Sequence, residues 1–446
     1  MRKRWKVVAG VLPALGLALV VSRCGHGKAP NAQVADEDVP LARRIFRAGV
    51  ENDPAALPPL TGMDLTQLAL DDKGVSTTLP DKTTVRLTLD PKLQKMATSL
   101  LSTYKMPESA LVVMDVATGR ILAYASHVDQ GQAHDLNVEA TAPAASVFKM
   151  VTGSALVEYA HLTADEKQCY SGGEQKLTAT DLEPDAARDK YCTTLGGAMG
   201  RSINTVFARL ALGHLKREQL QEMGQNLFFG KTLPFDVPVQ SSALSLPEDR
   251  LGFARTAAGF WNTTLSPLHA TWLSATFARN GVPIRPVIVR EVEREAGKKV
   301  VYTLGEPKPM KRALSEATSA QVVSMLEQTV SDGTSFKAFH DKARQPFLPG
   351  IDVAGKTGTL TDAGTQRYYT WFTGFAPSKP VEGVPQIAVT ALAANGAVWK
   401  VKANVLAREI LRAYFAQVGV KGVSMPVENK AAKANDKSRR GRRRAR

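Results

Sequence analysis

The stretch Val353-Ala354-Gly355-Lys356-Thr357-Gly358-Thr359-Leu360 has the most informative pattern in this chain of 446 residues. It predicts a β-strand, and because side chains alternate between the faces of a strand, Thr357 and Thr359 lie on one face. Gly358 has no side chain, so a ligand can approach the backbone closely there. Two hydroxyl groups and the amine of Lys356 together suit a carboxylate ligand.

Other strand and helix patterns surround this stretch. Strands are predicted at residues 111–116, 120–125, 353–360, 370–375 and 386–393. Helices are predicted at residues 91–104, through most of residues 146–281, and at 398–415. Gly119 supplies the tight connection between the first two strands. Two strands, many helices, three strands and a closing helix predict an α/β chain of the α+β type, with helices on the faces of an antiparallel sheet.

Ser146-Val147-Phe148-Lys149 opens the long helical segment. Residues three apart on a helix share a face, so the Lys149 amine is expected beside the Ser146 hydroxyl. An alcohol nucleophile needs an adjacent base, and a desolvated lysine of lowered pKa can serve. The same Ser-x-x-Lys pattern occurs at Ser102-Thr103-Tyr104-Lys105, where it indicates a solvated helix end. A serine cap followed by an exposed lysine is the alternative for any single match.

Ser202-Ile203-Asn204 lies between a glycine-rich stretch and an apolar helix, at a predicted loop-to-helix junction. In an extended segment the first and third residues face the same side, which directs a hydroxyl and an amide into one cleft. The hydroxyl can relay a proton, and the amide can bind a peptide-like substrate. The alternative is an ordinary helix cap.

The order and context of the three motifs resemble the transpeptidase domain of the penicillin-binding proteins, from about residue 85 to residue 417. Supporting matches are Leu87-Thr88-Leu89-Asp90-Pro91, Met114-Asp115-Val116-Ala117-Thr118-Gly119, Thr264-Leu265-Ser266-Pro267-Leu268, Gly333-Thr334 and Trp371-Phe372-Thr373-Gly374-Phe375-Ala376-Pro377. The resemblance implies a β-lactamase/transpeptidase-like fold, in which helices flank a five-stranded antiparallel sheet and form a mostly helical subdomain. It implies no cofactor.

By this resemblance, the chain is a peptidoglycan D,D-transpeptidase that acts on D-Ala-D-Ala stem peptides and is acylated by β-lactams. Ser146 is the implied nucleophile, Lys149 its base, and Ser202 with Lys356 the proton relay. Asn204 is implied to contact a substrate amide, and Thr357, Gly358 and Thr359 to bind the terminal carboxylate. The backbone N–H groups of Ser146 and Thr359 are implied to bind the oxyanion.

Three alternatives stay open at this point. A D,D-carboxypeptidase would differ only in giving the acyl group to water. A β-lactamase shares the three classes of motif. The class D β-lactamases, however, have valine at the end of the second motif, where this chain has Asn204. The class A β-lactamases need a glutamate for deacylation. Glu222-Met223-Gly224-Gln225-Asn226 imitates that glutamate motif inside a predicted amphipathic helix and is interpreted as structural. The third alternative is a sensor or scaffold that binds wall peptides or penicillin without turnover.

The net charge of +15 is concentrated at the two ends of the chain. Residues 1–23 combine a basic start with an apolar run and predict a cytoplasmic stub and signal anchor, a cleaved signal peptide being the alternative. Residues 24–84 are predicted as a linker or short arm, and residues 418–446 as a basic disordered tail. The nearly neutral region between the ends gives no basis for a nucleic-acid partner.

This organisation predicts a single-pass anchor in the bacterial cytoplasmic membrane, with the catalytic domain on the periplasmic side. The tail is expected to meet an anionic wall polymer or lipid. Cys169 and Cys192 form either a disulfide, which suits that compartment, or two separate buried thiols. No His-x-x-x-His or Cys-x-x-Cys pattern supports a metal site.

Overall fold

The computed structural model describes residues 57–173, 176–295, 299–362, 366–396 and 398–426. The strands are β1 (Ala69–Asp71), β2 (Gly74–Thr78), β3 (Thr84–Leu87), β4 (Glu108–Asp115), β5 (Ile121–Val128), β6 (Lys167–Tyr170), β7 (Tyr191–Thr194), β8 (Val289–Arg294), β9 (Lys299–Thr303), β10 (Ala354–Asp362), β11 (Arg367–Ala376) and β12 (Ile387–Asn395). The helices are α1 (Pro91–Tyr104), α2 (Lys149–Ala160), α3 (Leu195–Arg201), α4 (Asn204–His214), α5 (Arg217–Asn226), α6 (Arg250–Ala257), α7 (Pro267–Ala278), α8 (Glu316–Ser331), α9 (Phe336–Phe339) and α10 (Ala403–Gln417).

The main sheet has the strand order β10-β11-β12-β4-β5, with every neighbouring pair antiparallel. The predicted five-stranded antiparallel sheet is thus confirmed. Its strands are apolar on both faces: Val112 and Met114 of β4 join one hydrophobic core, and Leu111 and Val113 join another. Helix α7 covers the first face, and α1 with α10 covers the second. Burial on both faces explains why these strands are nearly continuous apolar runs.

A second five-stranded sheet, in the order β1-β2-β3-β8-β9, was not predicted. Its β3 pairs with β8, some two hundred positions further along the chain, and buried Arg86 of β3 bonds to Glu293 of β8. The predicted linker of residues 24–84 therefore ends too late, because β1 and β2 belong to this sheet. A strand pairing this distant has no local sequence signature, which is why the boundary was misplaced.

The predicted helical region contains α2 to α7 and one short hairpin, β6–β7. Cys169 and Cys192 face each other across this hairpin, and their sulfurs are joined in a disulfide. Arg209 of α4 is buried and donates to the Cys169 carbonyl and to both carboxylate oxygens of Asp189. The bonds from Arg209 hold the pKa of Asp189 at about 2. The hairpin is therefore fixed to the helices by a covalent bond and a buried ion pair.

The predicted tail begins too early. Val420 and Val423 pack against the core beside α10, and Arg412 of that helix donates to Ser424 Oγ. The packing of these two valines explains why residues 418–426 continue the folded domain. The remaining tail, the predicted anchor of residues 1–23 and residues 24–56 lie outside the described residues. Within the described ranges, no helix combines the length and apolar character needed to cross a membrane.

Candidate active site

Ser146 lies in a 3₁₀ turn, Ala145–Phe148, that leads directly into α2. The neighbouring Val147 and Phe148 are fully buried and anchor the turn, while Ser146 itself is half-buried and lines a cavity. Ala145 has a φ of 49°, an uncommon backbone conformation for a residue with a side chain. The expected helix start at Ser146 is therefore a strained turn that presents the hydroxyl to the cavity.

Lys149 lies one helical turn further, as its spacing predicts, and is completely buried. Its Nζ donates to Ser146 Oγ at 2.9 Å, to Asn204 Oδ1 at 2.7 Å, and to the Ala258 carbonyl. Burial, and secondarily the positive charge of Lys356, lower the pKa of Lys149 well below its ordinary value. A neutral amine at this distance can accept the hydroxyl proton.

Lys356 is a second buried lysine, from β10. Its Nζ donates to Ser202 Oγ and to the Thr357 carbonyl, both at 2.9 Å. Burial lowers the pKa of Lys356 to about 7. Ser202 ends α3 with a φ of 60°, so the second motif is a left-handed turn between two helices rather than the extended segment expected. The turn nevertheless brings Ser202 and Asn204 to the same cavity.

Asn204 is the first residue of α4, and its side chain is already engaged within the protein. Its Oδ1 accepts from Lys149, and its Nδ2 donates to the carbonyl of Gly173 at 3.2 Å. Because Thr205 Oγ1 also donates to the Gly172 carbonyl, two successive carbonyls that follow β6 within the disulfide hairpin are bonded to α4. Asn204 therefore helps to hold Lys149 in place, and its contact to a substrate amide stays a prediction.

Thr357 and Thr359 lie on β10, which is an edge strand of the main sheet, and both line the cavity. Thr357 Oγ1 is 2.6 Å from Thr334 Oγ1, a contact that sequence reasoning did not assign to the site. A Cβ on Gly358 would lie 3.3 Å from that of Ala145. The missing side chain therefore lets the Ser146 turn pack against the strand, and the close approach of a ligand to Gly358 stays a prediction.

The cavity has a volume of about 1190 Å³ and brings together Ser146, Ser202, Asn204, Thr357, Gly358 and Thr359. Lys149 and Lys356, the other two predicted catalytic residues, are fully buried and bond to four of these: Lys149 to Ser146 and Asn204, and Lys356 to Ser202 and the Thr357 carbonyl. Among the described residues that line it, none is Asp or Glu. Within the described part of the chain, no group of three or more His, Cys, Asp or Glu side chains could hold a metal ion.

The two sequence patterns that imitate site motifs lie elsewhere. Glu222 belongs to α5, raises the pKa of Tyr159 together with burial, and is absent from the cavity wall. Ser102 of α1 is exposed and donates to the Ser99 carbonyl within its own helix. Both positions therefore agree with the structural interpretation of these patterns.

A serine hydroxyl hydrogen-bonded to a buried lysine, beside an edge strand that offers hydroxyls and a glycine, defines an acyl-transfer enzyme of the serine type. A family model described as "Penicillin binding protein transpeptidase domain" matches residues 109–412. The chain belongs to this family, and it is a serine-type transpeptidase, as predicted.

Two curated relatives and two solved structures show how far the similarity extends. Peptidoglycan D,D-transpeptidase PbpA of Mycobacterium tuberculosis is 24% identical over 70% of this chain and 67% of its own length. Stage V sporulation protein D of Bacillus subtilis is 26% identical over 78% of this chain and 55% of its own length.

Among solved structures, the D,D-transpeptidase domain of a peptidoglycan glycosyltransferase from Eggerthella lenta has a TM-score of 0.62 at 24% identity, over 75% of this chain and 84% of that one. An imipenem acyl-enzyme complex of M. tuberculosis penicillin-binding protein A has a TM-score of 0.58 at 21% identity, over 74% of this chain and 79% of that one. These likenesses establish the fold.

Proposed function

We propose that this protein is a peptidoglycan D,D-transpeptidase in which Ser146 carries the acyl group. The supporting observation is the contact of 2.9 Å between Ser146 Oγ and the amine of a fully buried lysine of lowered pKa. Family membership supports the same substrate, a stem peptide that ends in D-Ala-D-Ala.

In the acylation step, the neutral amine of Lys149 takes the Ser146 proton while Oγ bonds to the carbonyl carbon of the penultimate D-alanine. The bond from that carbon to the terminal D-alanine nitrogen then breaks, and the nitrogen receives a proton through Ser202 from Lys356. A lysine of pKa about 7 can donate and accept protons near neutral pH, which is what a relay requires. The terminal D-alanine leaves as a free amino acid.

The substrate carboxylate is assigned to Thr357 and Thr359 on the edge of β10. The backbone N–H groups of Ser146 and Thr359 are assigned to the developing oxyanion, and one such donor is typically worth about a hundred- to a thousandfold in rate. In the second step, an amine from another stem peptide bonds to the ester carbon and loses a proton through Ser202 to Lys356. The bond from that carbon to Ser146 Oγ breaks, and Lys149 returns its proton to the serine oxygen. The product is a peptide crosslink.

Two alternatives differ in the fate of the acyl group. In a D,D-carboxypeptidase, water would replace the amine. A β-lactamase would need a base to activate that water, and the described cavity wall carries no carboxylate for this purpose. A non-catalytic sensor would not need two buried lysines hydrogen-bonded to serine hydroxyls, because such burial is costly.

Intact-mass analysis after incubation with a penicillin tests the nucleophile. We expect a stable adduct on the wild type and on Ser102→Ala, which removes the serine of the exposed Ser-x-x-Lys copy, but none on Ser146→Ala. An adduct on Ser146→Ala would refute the assignment. Rapid loss of the adduct with continuous drug hydrolysis would favour the β-lactamase, and an adduct without turnover of peptide donors would favour the sensor.

We also propose that residues 1–23 anchor the protein in the cytoplasmic membrane, with the catalytic domain outside. The Cys169–Cys192 disulfide supports an oxidising compartment. For the basic tail, we propose an anionic wall polymer or lipid as partner. Deletion of residues 427–446 leaves the packed segment intact and is expected to reduce binding to anionic vesicles or wall fragments at low salt; unchanged binding would refute the tail's role.

A further inference from the structure

Arg255 of α6 occupies the cavity wall close to the reactive serine. Its carbonyl accepts from the N–H of Phe260, so the helix end turns tightly back at Gly259. A Cβ on Gly259 would lie 3.0 Å from the Cα of Ser146, which shows how closely this turn approaches the nucleophile. Arg255 is thus one helical turn away from the backbone that contacts Ser146.

The guanidinium of Arg255 is held in place but has donors to spare. Its Nε donates to the Leu177 carbonyl at 2.9 Å, and the residue is half-buried. No carboxylate among the described residues forms an ion pair with it. Because an arginine presents a planar fork of N–H donors that matches a carboxylate, a pinned guanidinium without an acidic partner is suited to a ligand carboxylate.

The charge of the surrounding wall favours the same ligand. Four described lining residues are cationic (Lys176, Arg201, Arg255 and Lys402), and none is acidic. Arg201 is paired with Asp332 at 2.7 Å, whereas Arg255 has no such partner in the described chain. A cleft lined by one sign of charge concentrates ligands of the opposite sign.

The Ser146 turn touches two walls, β10 through Gly358 and the end of α6 through Gly259. We place the scissile carbonyl at Ser146 and the terminal carboxylate on β10, so that the preceding part of the stem peptide extends toward the α6 wall. Successive residues of an extended peptide are about 3.3–3.6 Å apart, so in this arrangement the residue just before D-Ala-D-Ala is the first whose side chain can face Arg255.

We propose, on the basis of the function proposed above, that Arg255 binds a free side-chain carboxylate on the residue that precedes D-Ala-D-Ala, and so selects donors that carry one. Diaminopimelic acid and lysine at that position give matched probes, since they have the same side-chain amine and differ by one carboxylate. The wild type is expected to have a kcat/KM about ten- to a hundredfold higher for the diaminopimelate donor.

The key variant is Arg255→Gln, and the matched control is Arg250→Gln on the same helix. Arg250 is exposed, pairs with Glu183, and does not line the cavity. We expect Arg255→Gln to lose the preference by slowing only the diaminopimelate donor, Arg255→Lys to restore part of it, and Arg250→Gln to keep it. Equal losses on both donors, or no preference in the wild type, would overturn the proposal.

Binding of the two donors to Ser146→Ala, measured by calorimetry, separates this proposal from the proposed function because it needs no chemistry. A binding preference for the diaminopimelate donor that disappears in the Ser146→Ala, Arg255→Gln double variant supports the carboxylate site. Failure of the wild type to turn over either donor would refute only the transpeptidase reaction. Equal affinity for both donors would refute the carboxylate site, whatever the turnover. Arg250→Gln, whose side chain lies outside the cavity, is expected to be acylated by penicillin at the wild-type rate.

Discussion

Lys356→Met is predicted to stabilise the fold while removing activity. Lys356 is fully buried, and its pKa falls from 10.5 to about 7. At about 1.36 kcal/mol per unit of pKa, the folded state below pH 7 bears a cost of about 5 kcal/mol for the charged amine. Methionine fills a similar volume without the charge but loses two hydrogen bonds of about 1 kcal/mol each. The net expected gain in the free energy of unfolding at pH 6 is about 3 kcal/mol.

The pH dependence gives a sharper test of the same cause. Between pH 7 and 10.5 the unfolded chain binds a proton at Lys356 that the folded chain lacks, so the wild-type free energy of unfolding rises with pH in this window. Urea titrations at about pH 7.5 and 9.5 should show the wild type gaining roughly 2 to 3 kcal/mol more than Lys356→Met. Lys149 is present in both proteins, and only the smaller effect of the Lys356 charge on its pKa differs between them. Equal gains, or a variant less stable than the wild type at pH 6, would refute the desolvation argument.

Two further predictions concern the groups around the nucleophile. In Gly259→Ala, the new Cβ would lie 2.4 Å from the Ala145 carbonyl oxygen, so penicillin acylation is expected to fall by about a hundredfold or more. Gly230→Ala, which has a similar φ of 74° but open space, should cost only about 1 kcal/mol of stability; equal acylation rates in the two variants would contradict this. Asn204→Asp puts a negative charge beside Lys149 and raises its pKa, so the acid limb of the acylation pH profile should move to higher pH. An unchanged profile would show that Asn204 does not set the state of that lysine.

Local sequence patterns were sufficient for the main sheet and for most of the site. Helix α1 begins and ends at the predicted residues 91 and 104, because Asp90 caps it and Pro91 opens it. Ser146 and Lys149 were predictable because three positions on a helical path fix their contact. The structure differs from this prediction only in that Ser146 lies in a 3₁₀ turn that precedes the helix.

The remaining features depend on contacts between distant parts of the chain. The second sheet requires β3 to pair with β8, and no local pattern in either strand indicates its partner. Thr334, which follows α8, belongs to the site because it contacts Thr357 of β10. Arg255 belongs to it because α6 lies in the wall of the same cavity. Likewise, the sequence does not show that the Ser146 turn packs close to Gly358.

The most direct test of the central claim is to trap the acyl group from a peptide donor on the enzyme and follow its transfer. After brief incubation with a donor that ends in D-Ala-D-Ala and acid quenching, peptide mass spectrometry should place the acyl group on Ser146. Addition of an amine acceptor before quenching should convert it into a crosslinked product. An acyl group on any other residue, or a crosslinked product formed equally by Ser146→Ala, would contradict the account.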